Sequence, residues 1–289
     1  MISDAQDADT RDRVHVTAAE GASSLEADRR ARRRRTALVW SLRVASVVAL
    51  LLVWQGLADG GVINPVFIGE PTAIGASFIH LFSTKIVTTD LGTTMFETLV
   101  GFVISVVLGM ACAYAMTRSS LLNQTFYPIA TAANAVPRIA LVPVFIIWFG
   151  LGPSSKIANV VSFVFFVVLI NSLAAFAQAD RDSLLLARVL GFNERDRMRT
   201  FILPGAVPLL AGTLELALIY SFLASMIGEM LGGYNGLGVS LEADANRIET
   251  DEYFAILLLV VIVVLALVQI MRYVRHRLLR WSTIEMRGE

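Results

Sequence analysis

The chain has 289 residues, of which 56% are hydrophobic and only 17% charged, and its formal net charge is zero. A soluble domain of this length cannot bury so much apolar surface, so the composition indicates a protein with several membrane spans. A single cysteine, Cys112, excludes a disulfide scaffold, and basic residues that flank apolar runs without forming a groove argue against nucleic-acid binding.

The N-terminal residues 1–36 form a charged tail with almost no large apolar side chains. Such a segment cannot bury enough surface to offset its ordering entropy, so we predict a disordered cytoplasmic tail. The apolar run that follows is too long for the core of a signal peptide and lacks a small-residue cleavage site, so it is interpreted as a retained span. Residues 37–281 then form the transmembrane domain, and residues 282–289 a C-terminal cytoplasmic tail.

Six apolar runs are long enough to cross a bilayer as helices. They cover residues 38–58, 91–117, 124–149, 157–177, 204–231 and 254–271. An open sheet or a loop would leave backbone groups unpaired in lipid. The predicted fold class is therefore an all-α membrane protein.

The basic residues are distributed unevenly between the two sides of these spans. With the N-terminal tail placed inside, twenty of the 24 Lys and Arg lie on the cytoplasmic side, and only Lys85, Lys156 and Arg247 lie outside. Arg138 remains within the third span. This asymmetry predicts a multi-pass protein of the cell membrane with both termini in the cytoplasm.

The longest cytoplasmic loop, residues 178–203, carries helix signals of its own. Asp182 or Ser183 can cap a short helix that ends near Leu190, Gly191 breaks it, and Asn193 can cap a second helix before the fifth span. Two short amphipathic helices bent at a glycine suit either a docking element for a cytoplasmic partner or a helix on the lipid surface.

This loop resembles the EAA signature of binding-protein-dependent ABC importer permeases. The matching residues are Leu185-Leu186-Ala187, then Gly191 after three residues, then Phe201-Ile202-Leu203-Pro204. The spacing from Ala187 to Pro204 is fully kept, although Leu185 and Leu186 replace the usual Glu-Ala. The resemblance implies that Ala187, Gly191, Leu203 and Pro204 belong to the segment that couples to an ATPase.

The resemblance extends to the nitrate/sulfonate/taurine-type branch of these permeases. Its blocks are Gly69 to Ala73, Ala135 to Pro143, Trp148 to Gly152, Glu229 to Leu231 and Gly236 to Gly238. It implies the type I ABC importer fold, a permease homodimer, a separate ABC ATPase that binds ATP and Mg, and an external solute-binding protein.

Neither the residues nor the resemblance points to chemistry within this chain. Residues 150–156 lack the Gly-Lys-Ser/Thr ending of a phosphate loop, and the glycines at 232–238 lack the dinucleotide spacing. The three histidines are scattered, so no metal site is expected. We predict that the chain is not an enzyme and holds no cofactor.

Charges inside predicted spans are candidates for the translocation path or for intramembrane pairing. These are Glu97, Arg138, Glu215 and Glu229. At about 1.5 Å per residue, Glu215 and Arg138 lie roughly 16 and 21 Å from the cytoplasmic ends of their spans. We therefore predict an Arg138–Glu215 pair, with Glu97 as the second candidate. A purely structural ion pair is the alternative to a role in transport.

Three prolines, Pro128, Pro137 and Pro143, fall within the third span and predict an interrupted helix, which often lines a permeation path. The sequence thus favours the permease subunit of an ATP-driven importer for a small solute, either an anion such as a sulfonate or a small heterocycle. A stand-alone secondary transporter or channel is the first alternative, and a membrane-embedded hydrolase the second.

Overall fold

The computed structural model describes residues 34–178, 187 and 189–278, and every regular element among them is helical. The predicted all-α class is confirmed. The predicted tail lies outside the described residues up to residue 33, as do residues 179–186 of the cytoplasmic loop and the C-terminal residues from 279 onward.

The chain divides into two compact units, residues 1–64 and 65–289. In the first unit, helix α1 spans Arg34–Asp59, and its most apolar window buries none of its residues inside the protein. It begins before residue 38, where the apolar run predicted the first span. An apolar helix of 26 residues is long enough to cross a bilayer.

The second unit contains the remaining helices. Their bounds are α2 Pro65–Ile68, α3 Pro71–Leu81, a π-helical turn Ile86–Asp90, α4 Leu91–Arg118, α5 Ser120–Asn134, a 3-10 turn Arg138–Leu141, α6 Val142–Phe149, α7 Pro153–Ala177, α8 Glu194–Arg197, a π-helical turn Met198–Ile202, α9 Leu203–Gly232, α10 Leu237–Arg247 and α11 Thr250–Leu278.

Five helical stretches of the described residues are long and apolar enough to cross a membrane, and the bent pair α5–α6 makes a sixth if it counts as one span. These stretches correspond to the six predicted runs. The third differs from an ordinary span because its two arms meet at 86°. Pro137 lies at this break and Pro143 in the first turn of α6, whereas Pro128 lies inside α5 without ending it.

Small residues bring α4, α7 and α9 close together at the centre of the second unit. Gly101 and Gly109 of α4 face Val160 and Val168 of α7, and Ala217 and Ala224 of α9 join the same buried cluster. Helices in lipid gain little from hydrophobic burial against one another, so close backbone approach at small residues stabilises their packing instead.

A second buried cluster joins α3, α9, α10 and α11, with Leu81, Phe222, Leu237 and Ile256 at its centre. It lies near the end of α9 where the chain turns through Gly232–Gly236 into α10. This packing holds the α9–α10 connection against the bundle.

Candidate functional site

The break in the third span begins where α5 ends at Asn134. Pro137 has an extended backbone with ψ of 97°, and the single 3-10 turn from Arg138 follows before α6 resumes. Proline cannot donate a backbone hydrogen bond and disfavours helical geometry in the residue before it, so the helix stops here. The break leaves irregular backbone within a span.

Arg138 is the charged residue at this break, and it is half-buried. Its guanidinium donates to the carbonyl of Phe163 at 3.2 Å and to the Oδ1 of Asn134 at 2.6 Å. Its Cζ also lies 6.0 and 5.4 Å from the ring centres of Phe163 and Phe166. Carbonyl dipoles and aromatic faces therefore solvate the charge, and no acidic partner lies beside it among the described residues.

A cavity of about 240 Å³ adjoins Arg138 and is lined by the broken segment and by Phe163 of α7. The charged side chain of Arg138, the non-helical backbone at Pro137 and this cavity therefore lie next to one another.

The predicted pair between Arg138 and Glu215 is wrong. Glu215 instead accepts hydrogen bonds from Arg272 Nε at 2.9 Å and from Arg275 Nη1 at 3.5 Å. Helix α11 continues to Leu278, past the apolar run that ends at residue 271, and so carries these two arginines alongside α9. Glu215 and Arg138 have similar depths in their predicted spans, but depth does not determine which side of a helix a residue lies on. Glu215 lies on the side of α9 that packs against α11.

Glu97, the second predicted partner of Arg138, also lies elsewhere. It is 2% exposed, accepts a hydrogen bond from Ser225 Oγ at 3.0 Å, and contacts the carboxyl group of Glu229. Lys156 lies near both carboxyl groups and is equally buried. Its ammonium donates to the carbonyl of Leu151 at 2.5 Å and to that of Gly232. Lys156, counted from the sequence among the outside loops, is therefore a buried residue of α7.

We call Asp90, Thr94, Glu97, Lys156 and Glu229 the buried polar cluster. It holds the connection between α9 and α10. Glu229 accepts from Gly238 N at 2.8 Å and from Thr94 Oγ1 at 2.7 Å. The same hydroxyl accepts from Leu237 N at 2.9 Å. Asp90 accepts from Gly236 N at 3.3 Å and from Ser240 Oγ at 2.8 Å.

Glycine is required in this connection for two reasons. Gly236 has φ of +125°, a region that side chains disfavour, and a Cβ there would collide with the carboxyl group of Glu229. The resemblance rested in part on Glu229 followed by Gly236-Leu237-Gly238. The structure explains this spacing, because the carboxyl group of Glu229 packs against Gly236 and accepts from Gly238 N. Glu229, Thr94 and Asp90 thus accept from the backbone N–H groups of Gly238, Leu237 and Gly236 at the start of α10, which have no partner within the helix.

Sequence reasoning missed Asp90, Thr94 and Lys156 as members of this cluster. A signal for two of them was present, because positions 90, 94 and 97 follow one helical face together with Gly101 and Ser105. A stripe of polar and small residues at helical spacing at the start of an apolar span indicates a face buried against other helices.

The predicted cytoplasmic segment has the expected glycine bend. Gly191 adopts φ of +75°, and Phe192 N donates to the carbonyl of Ala187 at 3.0 Å, which is the closing bond of a Schellman helix end. Asn193 Oδ1 then accepts from Arg195 N at 2.9 Å and from Asp196 N at 3.0 Å, so it caps the next helix as predicted. The start of the first short helix, at Asp182 or Ser183, lies outside the described residues.

The second short helix runs into the fifth span without a break. It passes from α8 through a π-helical turn into α9, which begins at Leu203 with Pro204 in its first turn. The rings of Phe192 and Phe201 pack edge to face at 5.6 Å across the bend. Ala187 is fully buried, whereas Val189 and Leu190 are 84% and 61% exposed. The bent segment thus presents an apolar surface and is joined rigidly to a span.

Comparison with known proteins identifies the family. The family described as binding-protein-dependent transport system inner membrane component matches residues 105–281. The taurine transport system permease protein TauC of Escherichia coli is 24% identical over 83% of this chain and 90% of its own length. The riboflavin transport system permease protein RibX of Chloroflexus aurantiacus is 26% identical over 82% of this chain and 88% of its own length.

A solved structure of the MetNI methionine ABC transporter, in an inward-facing conformation, shares the fold. Its matching chain has a TM-score of 0.58 and 18% identity, over 68% of this chain and 96% of that chain. The helical architecture, the matched family and the relatives agree. The chain belongs to the binding-protein-dependent inner membrane components and is a membrane-spanning permease subunit of an ABC importer.

Proposed function

We propose that this permease carries a small anionic solute, such as a sulfonate, into the cytoplasm. The observation that carries the proposal is Arg138, a cation at the break of the third span with no carboxylate beside it among the described residues. An uncompensated charge at membrane depth costs about 3 kcal/mol, and such residues mark solute pathways. An anionic group of the solute would supply the missing charge.

The acidic residues of the spans do not oppose this assignment. Glu215 is engaged by Arg272 and Arg275, and Glu97 and Glu229 are held by hydroxyl and backbone donors near Lys156. The acidic side chains of the spans therefore have their partners within the protein. The taurine transport permease among the relatives is consistent with a solute that presents a sulfonate group, since taurine carries one.

The charge asymmetry of the sequence supports an orientation with both termini in the cytoplasm. In this orientation the bent segment at Gly191 faces the cytoplasm, and the buried polar cluster with α10 lies toward the outside. The exposed apolar residues Val189 and Leu190 then serve as a contact for a separate ATPase subunit. That subunit binds ATP and Mg and drives the cycle.

We further propose that two copies of this chain form the translocation path. The second arm of the broken span exposes Ile147, Trp148 and Phe149 by 80%, 68% and 52%. Such a surface on the segment that carries Arg138 suits contact with a second permease subunit. An external binding protein delivers the solute to the paired subunits.

Uptake of labelled taurine by the reconstituted importer tests the role of Arg138. We expect Arg138→Gln to lower uptake about tenfold, equivalent to about 1.4 kcal/mol, and Arg138→Lys to retain part of the activity because the charge remains. Arg277→Gln is the matched control, since it removes an exposed arginine whose contact is with Tyr273 of the same helix. Wild-type uptake by both Arg138 variants would disprove the assignment.

A heterocyclic solute is the second candidate, favoured by the similarity to the riboflavin transport permease. The same assay with labelled riboflavin distinguishes a heterocyclic solute from a sulfonate. Uptake of riboflavin without uptake of taurine would support the heterocyclic solute.

A further inference from the structure

A separate cavity lies at the end of the bundle that the proposed orientation places outside. It measures about 250 Å³ and is bounded by α2, the C-terminal half of α10 and the first turn of α11. Thr250 Oγ1 donates to the carbonyl of Val66 at 2.6 Å and ties two of these elements together. The buried polar cluster and the broken third span do not contribute to its lining.

The cavity is lined in part by the carboxyl group of Asp244, which is 8% exposed. Its Oδ2 is buried and has no hydrogen-bond partner among the described residues. Burial, together with the carboxylates of Glu249 and Glu252, raises the pKa of Asp244 to about 6, while Arg247 acts in the opposite direction. The guanidinium of Arg247 lies 3.6 Å from Glu249 and is largely exposed.

The rest of the lining is apolar and aromatic. Phe67, Tyr253 and Phe254 contribute ring surfaces, and Ile248 lies at the rim with 66% exposure. An aromatic wall next to a carboxylate is the environment that ammonium and guanidinium groups prefer. The aliphatic stem of a lysine or arginine can also pack against such a wall while its charged end reaches the acid.

The volume of the cavity and the side chains that line it narrow the choice of occupant. The cavity is smaller than the roughly 300 to 1,000 Å³ of sites for drug-sized molecules, so it suits a small group such as the end of one side chain. The described residues contain no group of three or more His, Cys, Asp or Glu side chains that could hold a metal ion. Glu249 and Glu252 place two more carboxylates near Asp244, against the guanidinium of Arg247.

We propose that this cavity is an anchor for a lysine or arginine side chain of the external binding protein, which docks through a basic surface. The inference rests on the proposed function, since it requires the outside location of α10 and a binding protein as partner. Charge complementarity identifies the occupant: a basic side chain would satisfy Asp244 and neutralise the acidic rim. Buried arginine anchors in aromatic pockets often dominate the affinity of an interface.

The test measures the affinity of the importer in nanodiscs, complete with its ATPase, for its own binding protein. We expect Asp244→Asn to weaken the complex at least tenfold at pH 7.5. The exposed residue on the same helix supplies the control, Glu242→Gln, which should bind like wild type. Unchanged affinity in Asp244→Asn overturns the proposal.

The pH dependence provides a second readout. Lowering the pH from 7.5 to 5 protonates Asp244 and should weaken docking to wild type, whereas Asp244→Asn should lose this part of the dependence. The charged neighbours Glu249, Glu252 and Arg247, and Tyr253 in the lining of the cavity, all remain in the variant. Equal pH profiles for wild type and Asp244→Asn overturn the proposal.

Small probes separate a basic side chain from a transported amine. N-acetyl-lysine amide should compete with the binding protein at millimolar concentration, and N-acetyl-norleucine amide should not. Uptake of the lysine amide that depends on Asp244 would instead make the cavity a solute site and overturn the docking role. A wild-type importer that fails to transport at all rejects the proposed function, whereas normal transport with normal docking of Asp244→Asn rejects this inference alone.

Misfolding of the variant is distinguishable from lost docking. Asp244→Asn replaces an unpartnered buried acid by a neutral group of the same shape, so its thermal unfolding temperature at pH 7.5 should equal or exceed that of wild type.

Discussion

Individual charged residues in the spans have different surroundings, and Arg138 differs from the others because no opposite charge lies beside it among the described residues. Glu215 pairs with arginines of α11, Glu229 accepts from a backbone N–H and a hydroxyl, and Arg138 rests on carbonyls and rings. The sequence shows how deep each charge lies in its predicted span, and this depth identified these residues as candidates. The direction in which each side chain leaves its helix depends on packing between distant segments, so the partners were not predictable.

Glu229 provides a test at this scale. Replacing it by Met keeps the approximate shape but removes the acceptor for both Gly238 N and Thr94 Oγ1. We expect Glu229→Met to lower the free energy of unfolding by about 1 to 3 kcal/mol, the usual cost of leaving a buried donor unsatisfied. Thermal unfolding in detergent measures the change, with Glu242→Met at an exposed position as the control. Equal stability of Glu229→Met and wild type would contradict the role of the buried polar cluster.

Some features of the helices depend on neighbouring residues in the sequence and could be predicted, whereas others depend on packing between distant helices. The bend at Gly191 and the cap at Asn193 were predicted because both depend on residues within one turn. The interruption of the third span was predicted from its prolines, but the 86° angle between its arms was not. That angle depends on how α5 and α6 pack against other helices.

The contact between α4 and α7 can be tested with two glycines of one helix. A Cβ at Gly101 would lie 2.6 Å from the Val160 Cβ, whereas a Cβ at Gly92 would meet nothing within 4 Å. We expect Gly101→Ala to destabilise the protein by about 1 to 3 kcal/mol through overpacking. Gly92→Ala should be neutral or stabilising by up to about 1 kcal/mol. Thermal unfolding of both variants measures this difference, and equal effects would refute the close helix approach.

The bend at Gly191 supports a prediction about coupling. Its φ of +75° costs a β-branched residue roughly 1 to 2 kcal/mol, so Gly191→Val should displace the exposed Val189 and Leu190. We expect the variant to insert normally while ATP hydrolysis no longer drives uptake. Gly191→Asn, which tolerates this backbone region, is the matched control. Parallel assays of ATP hydrolysis and uptake decide the matter, and full coupling in Gly191→Val would exclude a docking role for this segment.

The whole molecule is the scale at which the sequence was most informative. Span number, helical class and family all follow from the length of apolar runs and from motifs in chain order, which do not depend on side-chain partners. The solute was not predictable to the same degree. Its recognition depends on the shape around Arg138 and on a binding protein that is a separate chain.

Orientation follows from the charge asymmetry and can be measured directly. Reporter fusions placed after residue 287 should report from the cytoplasm, and fusions within residues 243–250 should report from the outside. An odd number of crossings, in which α5 and α6 enter and leave on one side, would instead place the two termini on opposite sides. An external signal from the C-terminal fusion would contradict the proposed topology and the cytoplasmic position of the Gly191 bend.

The most direct test of the central claim is ATP-dependent uptake in proteoliposomes that contain this permease with its ATPase and binding protein. Labelled taurine should accumulate against its gradient only when ATP and the binding protein are both present, and collapse of the ion gradients should leave the accumulation unchanged. Accumulation by the permease alone, driven by an ion gradient and indifferent to ATP, would contradict the account and identify a secondary transporter.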